Sequence, residues 1–296
     1  MAEPIPSPHL MILAAGLSSR MKRPAATEDV SDPALHDAVN RPKSMIRLGI
    51  SDRPFMDYLL FNARAAGYRD VVLVISDRDG LVREYYGPGD DGNSFHGLTV
   101  SYATQRIPEG RAKPLGTADA VLCGALSRPD WRGSRFTVCN SDNIYSTGAM
   151  RTLLHSSHPN ALIAYDTRGL RFTKEQEYNN ALLEKDEKGF LRSIVEKPGA
   201  EFFERGRSVA GAVEVSMNIF RFSYDTLLPF LLSTPLHAIR QEKEIPATIA
   251  LMIASNPGAV FCHSRREYVP DLTSQHDIAK VKEWMARNFS GNLFKE

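Results

Sequence analysis

Short apolar runs that alternate with stretches of helical periodicity constrain the fold of this chain more than any other feature of its sequence. The first run is HLMILAAG at residues 9–16, which predicts a buried strand leading directly into a loop. A helical stretch from Arg53 ends at Gly67, and the next run, DVVLVIS, is again dense in Val and Ile. Strands that are apolar along their whole length are typical of parallel sheets covered on both faces.

The same alternation continues toward the C-terminus and predicts the fold class. Further strand-like runs are LTVSYATQ, RFTVCNSDN, NALIAYD and VEVSMNIFRF, and helical spacing separates several of them. We therefore expect an α/β protein, a Rossmann-like three-layer α/β/α sandwich with a mostly parallel mixed sheet. In such a sheet the loops at the carboxyl ends of the strands form the ligand crevice.

Length and composition favour one domain. The chain has 296 residues, of which 43% are hydrophobic and 24% charged, so it is long enough to bury a sizeable core. We predict a single domain over residues 8–296, with an exposed loop insertion at 25–41 and a C-terminal helix at 279–296.

Charge and hydropathy exclude several kinds of partner. The chain carries 36 Lys and Arg against 35 Asp and Glu, so nothing draws it as a whole toward nucleic acid or a membrane surface. Its apolar stretches are too short to span a bilayer, its N-terminus lacks the pattern of a secretory signal, and its three cysteines are far apart. We therefore expect a cytoplasmic protein that binds neither nucleic acid nor a membrane.

The loop after the first strand carries the clearest chemistry. In LAAGLSSRM the small residues of Leu13-Ala14-Ala15-Gly16 let backbone N–H groups turn toward phosphate oxygens, and Arg20 supplies a forked cationic side chain. The loop has neither the GxGxxG dinucleotide pattern nor the GKS or GKT of a P-loop. Taken alone, a loop with so few glycines fits an ordinary strand-to-helix turn with a surface arginine better than a phosphate site.

LAAGLSSRM followed by RPKSMIRLG resembles the signature of the sugar-phosphate nucleotidyltransferase family. With the later motifs, the resemblance extends from about Met11 to about Ile278. In that family the arginine and the lysine of the signature bind the triphosphate, which implies this role for Arg20 and Lys43. The spacer between them is longer here than the family usually shows.

Two aspartates are the candidate Mg²⁺ ligands. Asp142 follows an apolar strand in CNSDN, and one carboxylate together with phosphate oxygens and water is half of a Mg²⁺ site. The resemblance implies Asp271 as the second ligand, because DLTSQHDI is similar to the family's DIGT segment. A helix N-cap is the alternative role for each aspartate.

The base pocket is expected around GTADAVLCG, which resembles the family segment that lines it and implies that role for Gly116 and Thr117. Gln105 ends the preceding strand, and its amide can both donate to and accept from a pyrimidine edge. In relatives that use UTP or dTTP, a glutamine near this position reads the base. A plain surface loop residue is an equally good interpretation of Gln105.

The sugar phosphate is expected at VEKP and at two nearby segments. In the family the lysine of VEKP binds the sugar 1-phosphate and the glutamate bonds sugar hydroxyls, which implies these roles for Lys197 and Glu196. In EYNNALL, Tyr178 matches a tyrosine of the family, but Asn179 replaces the glycine that often follows it. In VSMNIF, residues 216–218 stand where relatives commonly have Asn-Thr-Gly, so that Asn218 replaces a glycine. Both changes add side chains to the expected sugar pocket, so the sugar need not be glucose.

These motifs favour a Mg²⁺-dependent enzyme that forms an NDP-sugar and pyrophosphate. Its expected substrates are a nucleoside triphosphate, with UTP or dTTP favoured, and a sugar 1-phosphate that attacks the α-phosphate in line. Two alternatives stay open: a related nucleotidyltransferase with a non-sugar phosphate acceptor, and a catalytically inactive regulator that binds a nucleotide-sugar.

Overall fold

The computed structural model describes residues 8–22, 32–49, 52–204, 213–289, 291 and 293–294. Within these ranges ten strands form one sheet in the order β10-β6-β9-β5-β1-β2-β4-β3, and β7 and β8 join it beside β9. The strands are β1 (His9–Leu13), β2 (Asp70–Ser76), β3 (Asn93–Phe95), β4 (Leu98–Gln105), β5 (Arg135–Asn140), β6 (Ala161–Asp166), β7 (Ala181–Lys185), β8 (Leu191–Val195), β9 (Glu214–Ser223) and β10 (Phe261–Arg265).

The sheet is mixed, with a parallel centre. β1 pairs in parallel with β2 and β5, β2 with β4, and β6 with β10. β9 runs antiparallel between β5 and β6, and its first half also pairs with β7. The carboxyl ends of β1, β4 and β5 therefore meet at one edge, and the start of β9 lies at the same edge.

Helices cover both faces of this sheet. The main ones are α1 (Pro33–Asn40), α2 (Phe55–Ala66), α3 (Gly80–Tyr86), α4 (Thr117–Ser127), α5 (Thr147–Leu154), α6 (Thr167–Leu170), α7 (Lys174–Tyr178), α8 (Tyr224–Ser233), α9 (Ile245–Ser255) and α10 (Asp277–Asn288). Successive side chains of a strand point to opposite faces, so Leu10 and Ile12 share a core cluster with α2 and α5, whereas Met11 shares one with α4, α8 and α9. The predicted three-layer α/β/α sandwich is confirmed.

The segment 25–41 contains a helix where the sequence predicts an irregular exposed loop, and that prediction is wrong for its second half. Helix α1 begins after Asp32, whose carboxylate accepts a hydrogen bond from the backbone of the first turn, with Pro33 at the first helical position. Asp37 is only 1% exposed and forms an ion pair with Arg47 at 2.7 Å. The Asp-Pro pair is a helix start signal that the polar composition of the segment masks.

The predicted C-terminal helix is α10, which begins at Asp277 and ends at Asn288 rather than running to residue 296. Lys282 of this helix forms an ion pair with Asp32 at 2.9 Å and so links it to α1. Residues 25–31 of the predicted insertion lie outside the described residues, as do 290, 292 and 295–296.

None of the helices in the described part of the chain is long and apolar enough to cross a membrane.

Candidate functional site

A cavity of about 310 Å³ opens at the carboxyl edge of the sheet, where the loops after β1, β4 and β5 meet. Leu13 lies beside Asn140 in the sheet, so the loops after β1 and β5 leave it side by side. The predicted site residues that line the cavity are Leu13, Ala14, Ala15, Gly16, Lys43, Gln105, Gly116, Thr117 and Asp142. The sequence therefore predicts much of one wall of this cavity.

Two hydrogen bonds anchor the loop after β1, whose residues line the cavity. Its first residue, Ala14, donates a backbone hydrogen bond to Val74 of the neighbouring strand at 2.8 Å. Ser18 has a left-handed backbone, with φ of 56°, and its hydroxyl accepts a hydrogen bond from the backbone N–H of Lys43 at 3.3 Å. This contact joins the two halves of the signature across the intervening residues.

Lys43 points from a short 3-10 turn toward the end of β5. Pro42 precedes the turn, and the Lys43 ammonium donates a hydrogen bond to the Oδ2 atom of Asp142 at 3.2 Å. The Lys43 side chain is 12% exposed and that of Asp142 is 25% exposed, so the pair is partly shielded yet faces the cavity. A partly shielded ion pair is only modestly stabilising, and an anionic ligand can replace one partner.

Asp142 and Asp271 lie on adjacent extended segments. Asn143 and Asp271 form an antiparallel β-bridge, and the Leu272 N–H donates to the Asp142 carbonyl at 2.8 Å. Burial, and then the negative charge of Asp142, raise the pKa of the Asp271 carboxyl to about 7, although the Thr273 hydroxyl donates to it. Two carboxylates that repel each other in a shielded place form a site that favours a cation.

The N-cap alternative for the two aspartates does not fit the helices that follow them. Helix α5 is capped by Ser146, whose hydroxyl accepts from the Ala149 N–H at 3.0 Å, so Asp142 caps no helix there. Helix α10 follows His276, several residues after Asp271. Neither aspartate is therefore the N-cap of the helix that follows it.

The raised pKa of Asp271 predicts a pH dependence of stability in metal-free protein. A carboxyl whose pKa is higher in the folded than in the unfolded chain stabilises the fold fully below its unfolded pKa, and this contribution is lost as the pH rises through about 7. We expect Asp271→Asn to raise the free energy of unfolding more at about pH 8.5 than at about pH 5, because the variant lacks the charged form. Denaturant titrations of both proteins in chelator measure the difference, and an equal difference at the two pH values would contradict the assignment.

Gln105 is a buried residue of the cavity wall and not the surface loop residue that is its alternative interpretation. The residue is 3% exposed, and its Nε2 atom donates to the Gly116 carbonyl at 2.9 Å and to the Asp119 carboxylate at 2.8 Å. These bonds connect the end of β4 to the start of α4. Gln105 is thus held in one orientation at the cavity surface.

Gly116 and Thr117 connect this wall to the segment before α9. Gly116 has φ of 107°, and a Cβ atom there would lie 2.4 Å from the Lys243 carbonyl oxygen. The Thr117 hydroxyl accepts a hydrogen bond from the Ile245 N–H at 3.1 Å. Glycine is therefore required at position 116 because the backbone around Lys243 lies so close. Contact of Gly116 and Thr117 with a base stays a prediction.

Several lining residues escape prediction from the sequence. They are Leu17, Ser18, Ser19, Ser44, Lys113, Pro114, Ala120, Asn140, Ser141 and Glu242. Six of these residues lie next to predicted ones in the chain, and longer segments around the same motifs would have included them: Leu17, Ser18, Ser19, Ser44, Asn140 and Ser141. Lys113 and Glu242 carry no such signal, because they reach the cavity through contacts between distant parts of the chain.

Arg20 and the five predicted sugar residues do not line this cavity. Arg20 is exposed on the turn that follows the loop after β1. Lys197 and Asn179 are also exposed, whereas the Tyr178 hydroxyl donates to Glu204 at 2.9 Å. Their predicted contacts with a ligand therefore stay predictions.

Glu196 directly follows β8, and Asn218 lies within β9. Burial, and then the nearby charge of Glu244, raise the pKa of the Glu196 carboxyl. Asn218 lies one residue before Ile219, which pairs with Cys139 of β5, and its φ is 55°. Asparagine tolerates this left-handed backbone better than most residues, which explains why it can occupy a position where relatives commonly have glycine.

Comparisons with known proteins identify a family for this chain. The sequence profile of the family described as nucleotidyl transferase matches residues 38–274. The bifunctional protein GlmU of Pelobacter propionicus is 29% identical over 191 residues, which are 64% of this chain and 34% of that protein. The aligned part of the chain thus spans about a third of the length of this curated relative.

Solved structures share the fold. A Bacillus anthracis structure described as a glucose-1-phosphate thymidylyltransferase in complex with a sucrose is similar with a TM-score of 0.66 and 13% identity, over 97% of this chain and 98% of that one. A UTP-bound UGPase from Acinetobacter baumannii is similar with a TM-score of 0.64 and 16% identity, over 93% and 92% of the two chains. At these identities the likeness shows the fold, a mixed α/β sheet of the same kind.

Proposed function

Because the chain belongs to the nucleotidyl transferase family, we propose that it joins a nucleoside triphosphate to a sugar 1-phosphate, forming an NDP-sugar and pyrophosphate. The observation that carries the proposal is that the loop after β1, Lys43 and Asp142 meet at one cavity, with Asp271 beside them. Backbone N–H groups, an ammonium and two carboxylates are the groups that hold a triphosphate together with its metal ion.

In the proposed reaction a phosphate oxygen of the sugar 1-phosphate attacks the α-phosphorus, the bond to the β-phosphate breaks, and pyrophosphate leaves. The protein contributes by positioning the reactants and by neutralising their charge. The proposed role of the Lys43 ammonium, 3.2 Å from Asp142, is to turn from that carboxylate to a phosphate oxygen. The proposed role of Arg20, which is exposed on the adjoining turn, is to bind the outer phosphates as the triphosphate enters.

Mg²⁺ is the proposed cofactor, and the chemistry of Asp142 and Asp271 fits it. Within the described residues no three His, Cys, Asp or Glu side chains form a metal site, so the protein offers two carboxylates and leaves the other positions to phosphate oxygens and water. Burial and the charge of Asp142 raise the pKa of Asp271 although Lys43 lies nearby, so the pair of carboxylates would gain from a further cation. When bound, the ion would neutralise the triphosphate and the departing pyrophosphate.

The sugar 1-phosphate is proposed to bind beside the nucleotide, at the edge formed by β7, β8 and β9. The exposed Lys197 ammonium can neutralise its phosphate, and the Glu196 carboxylate can accept hydrogen bonds from hydroxyl groups. Tyr178, Asn179 and Asn218 complete the proposed pocket. Two asparagine side chains make it narrower than a pocket built with glycines would be.

A pyrophosphate-release screen tests the proposal. Each common nucleoside triphosphate is combined with a panel of sugar 1-phosphates, and with phosphocholine and alditol phosphates, in the presence of Mg²⁺ or of a chelator. We expect Mg²⁺-dependent release with UTP or dTTP and a sugar 1-phosphate. Release only with a non-sugar acceptor would replace the proposed acceptor, and silence across the panel with retained nucleotide-sugar binding would support the regulator instead.

A further inference from the structure

The hydrogen-bond partners of the Gln105 side-chain amide determine which way its oxygen and nitrogen atoms face. Its Nε2 atom has two protons, and the Gly116 carbonyl and the Asp119 carboxylate accept them at 2.9 and 2.8 Å. Turning the amide over would set its Oε1 atom against two acceptors, one of them charged. Hydrogen bonds to charged groups are stronger than neutral ones, so Asp119 contributes the larger part of this preference.

The carbonyl oxygen is the group of Gln105 that remains for a ligand. Gln105 lines the cavity, and no group of the described residues donates a hydrogen bond to its Oε1 atom. If Oε1 were fully buried, it would be a buried polar atom without a partner, and it is not one. Oε1 is therefore accessible at the cavity surface. The cavity wall thus presents an acceptor at this point, with both donors of the same side chain turned away.

We infer that Asp119 is a positioning residue for base selection: by orienting Gln105, it makes the cavity prefer a base whose ring carries an N–H donor. This inference rests on the proposed function only in taking the ligand to be a nucleotide. Uracil and thymine carry N–H at ring position 3, whereas cytosine has a lone pair there. Facing Oε1, that lone pair makes no hydrogen bond and repels the acceptor, a mismatch that disfavours CTP.

Asp119 also lies in the first turn of α4, where a negative charge stabilises the helix N-terminus. A purely structural role of this kind would affect all nucleotides alike. The preference for UTP over CTP separates the two roles, because it compares two pyrimidines of nearly equal size in the same protein. We therefore base the test on a ratio and not on the activity with one substrate.

The test compares wild type with Asp119→Ala. The preference is measured as the ratio of kcat/KM for UTP to that for CTP with one sugar 1-phosphate, and as the ratio of the two Kd values from calorimetry. We expect Asp119→Ala to lower both ratios about tenfold, since one of the two bonds that orient the amide is lost. In a Gln105→Leu background the same substitution should leave the ratios unchanged, as expected when one residue acts through the other.

Asp225→Ala is the matched control, because Asp225 lies in the first turn of α8 and does not line the cavity. It should leave the UTP-to-CTP ratios at the wild-type value. An equal loss for UTP and CTP in Asp119→Ala, or a wild type without preference, would overturn the inference. If the Kd ratios change as expected but no variant turns over substrate, the proposed function is wrong and the inference about Asp119 stands. If the wild type binds neither UTP nor CTP, the proposed function and the inference are both wrong.

Discussion

Asp142→Asn is expected to lower turnover about a thousandfold, a loss of about 4 kcal/mol of transition-state stabilisation. The substituted amide keeps the shape of the side chain and can still accept a hydrogen bond from Lys43, 3.2 Å away in the native protein. It carries no charge, however, and so cannot hold a divalent ion against the triphosphate. Pyrophosphate release at saturating substrates measures the loss, and the thermal unfolding midpoint checks that the variant is folded.

Asp77→Asn is the control for this variant. Asp77 directly follows β2 at the same edge of the sheet, but it is exposed and does not line the cavity. It should keep nearly full activity, so a loss in both variants would indicate a general effect of charge at this edge. Robust turnover by a folded Asp142→Asn protein would show that Asp142 is not a metal ligand.

The layers of the fold are predictable from the sequence because their signal is local. The centres of β1 and β2, LMIL and VVLVI, are apolar at every position, as is typical of strands buried on both faces. The position of β9 between β5 and β6 is not predictable in this way, since the partly alternating run VEVSMNIFRF indicates a strand but not its partners. Strand order and direction depend on contacts between distant segments, which periodicity does not encode.

The same distinction explains which parts of the site can be predicted. Lys43 and Asp142 belong to short contiguous motifs, and the structure brings them to one cavity. Glu242 enters the cavity because the segment around it packs on the loop before α4, held by contacts such as Thr117 with Ile245, 128 residues apart in the chain. Asp119 appears in the sequence only as an acid in a helix, and its bond to Gln105 is visible only in three dimensions.

Gly116→Ala is expected to lower the free energy of unfolding by about 3 kcal/mol and to weaken nucleotide binding. At φ of 107° an L side chain is strained, and the new Cβ atom would lie 2.4 Å from the Lys243 carbonyl oxygen. The Cβ atom is fixed to the backbone of residue 116 and the Lys243 carbonyl is itself backbone, so the contact is relieved only by moving the loop before α4 away from the segment before α9. That movement would displace the Gly116 carbonyl from Gln105 and Glu242 from the cavity wall.

Gly110→Ala separates the effect of backbone strain from that of the steric contact. Gly110 lies in the same connection between β4 and α4 and also has positive φ (76°). Within the described residues, however, no atom beyond its chain neighbours lies within 4 Å of the position that its Cβ would take. It should cost only about 1 kcal/mol, the strain of a left-handed backbone. Denaturant titrations give both free energies, and calorimetry with UTP gives both affinities. If Gly116→Ala were no worse than Gly110→Ala in either measurement, the cavity wall would not depend on the contact between these two distant segments, and glycine at position 116 would be needed only for its backbone angle.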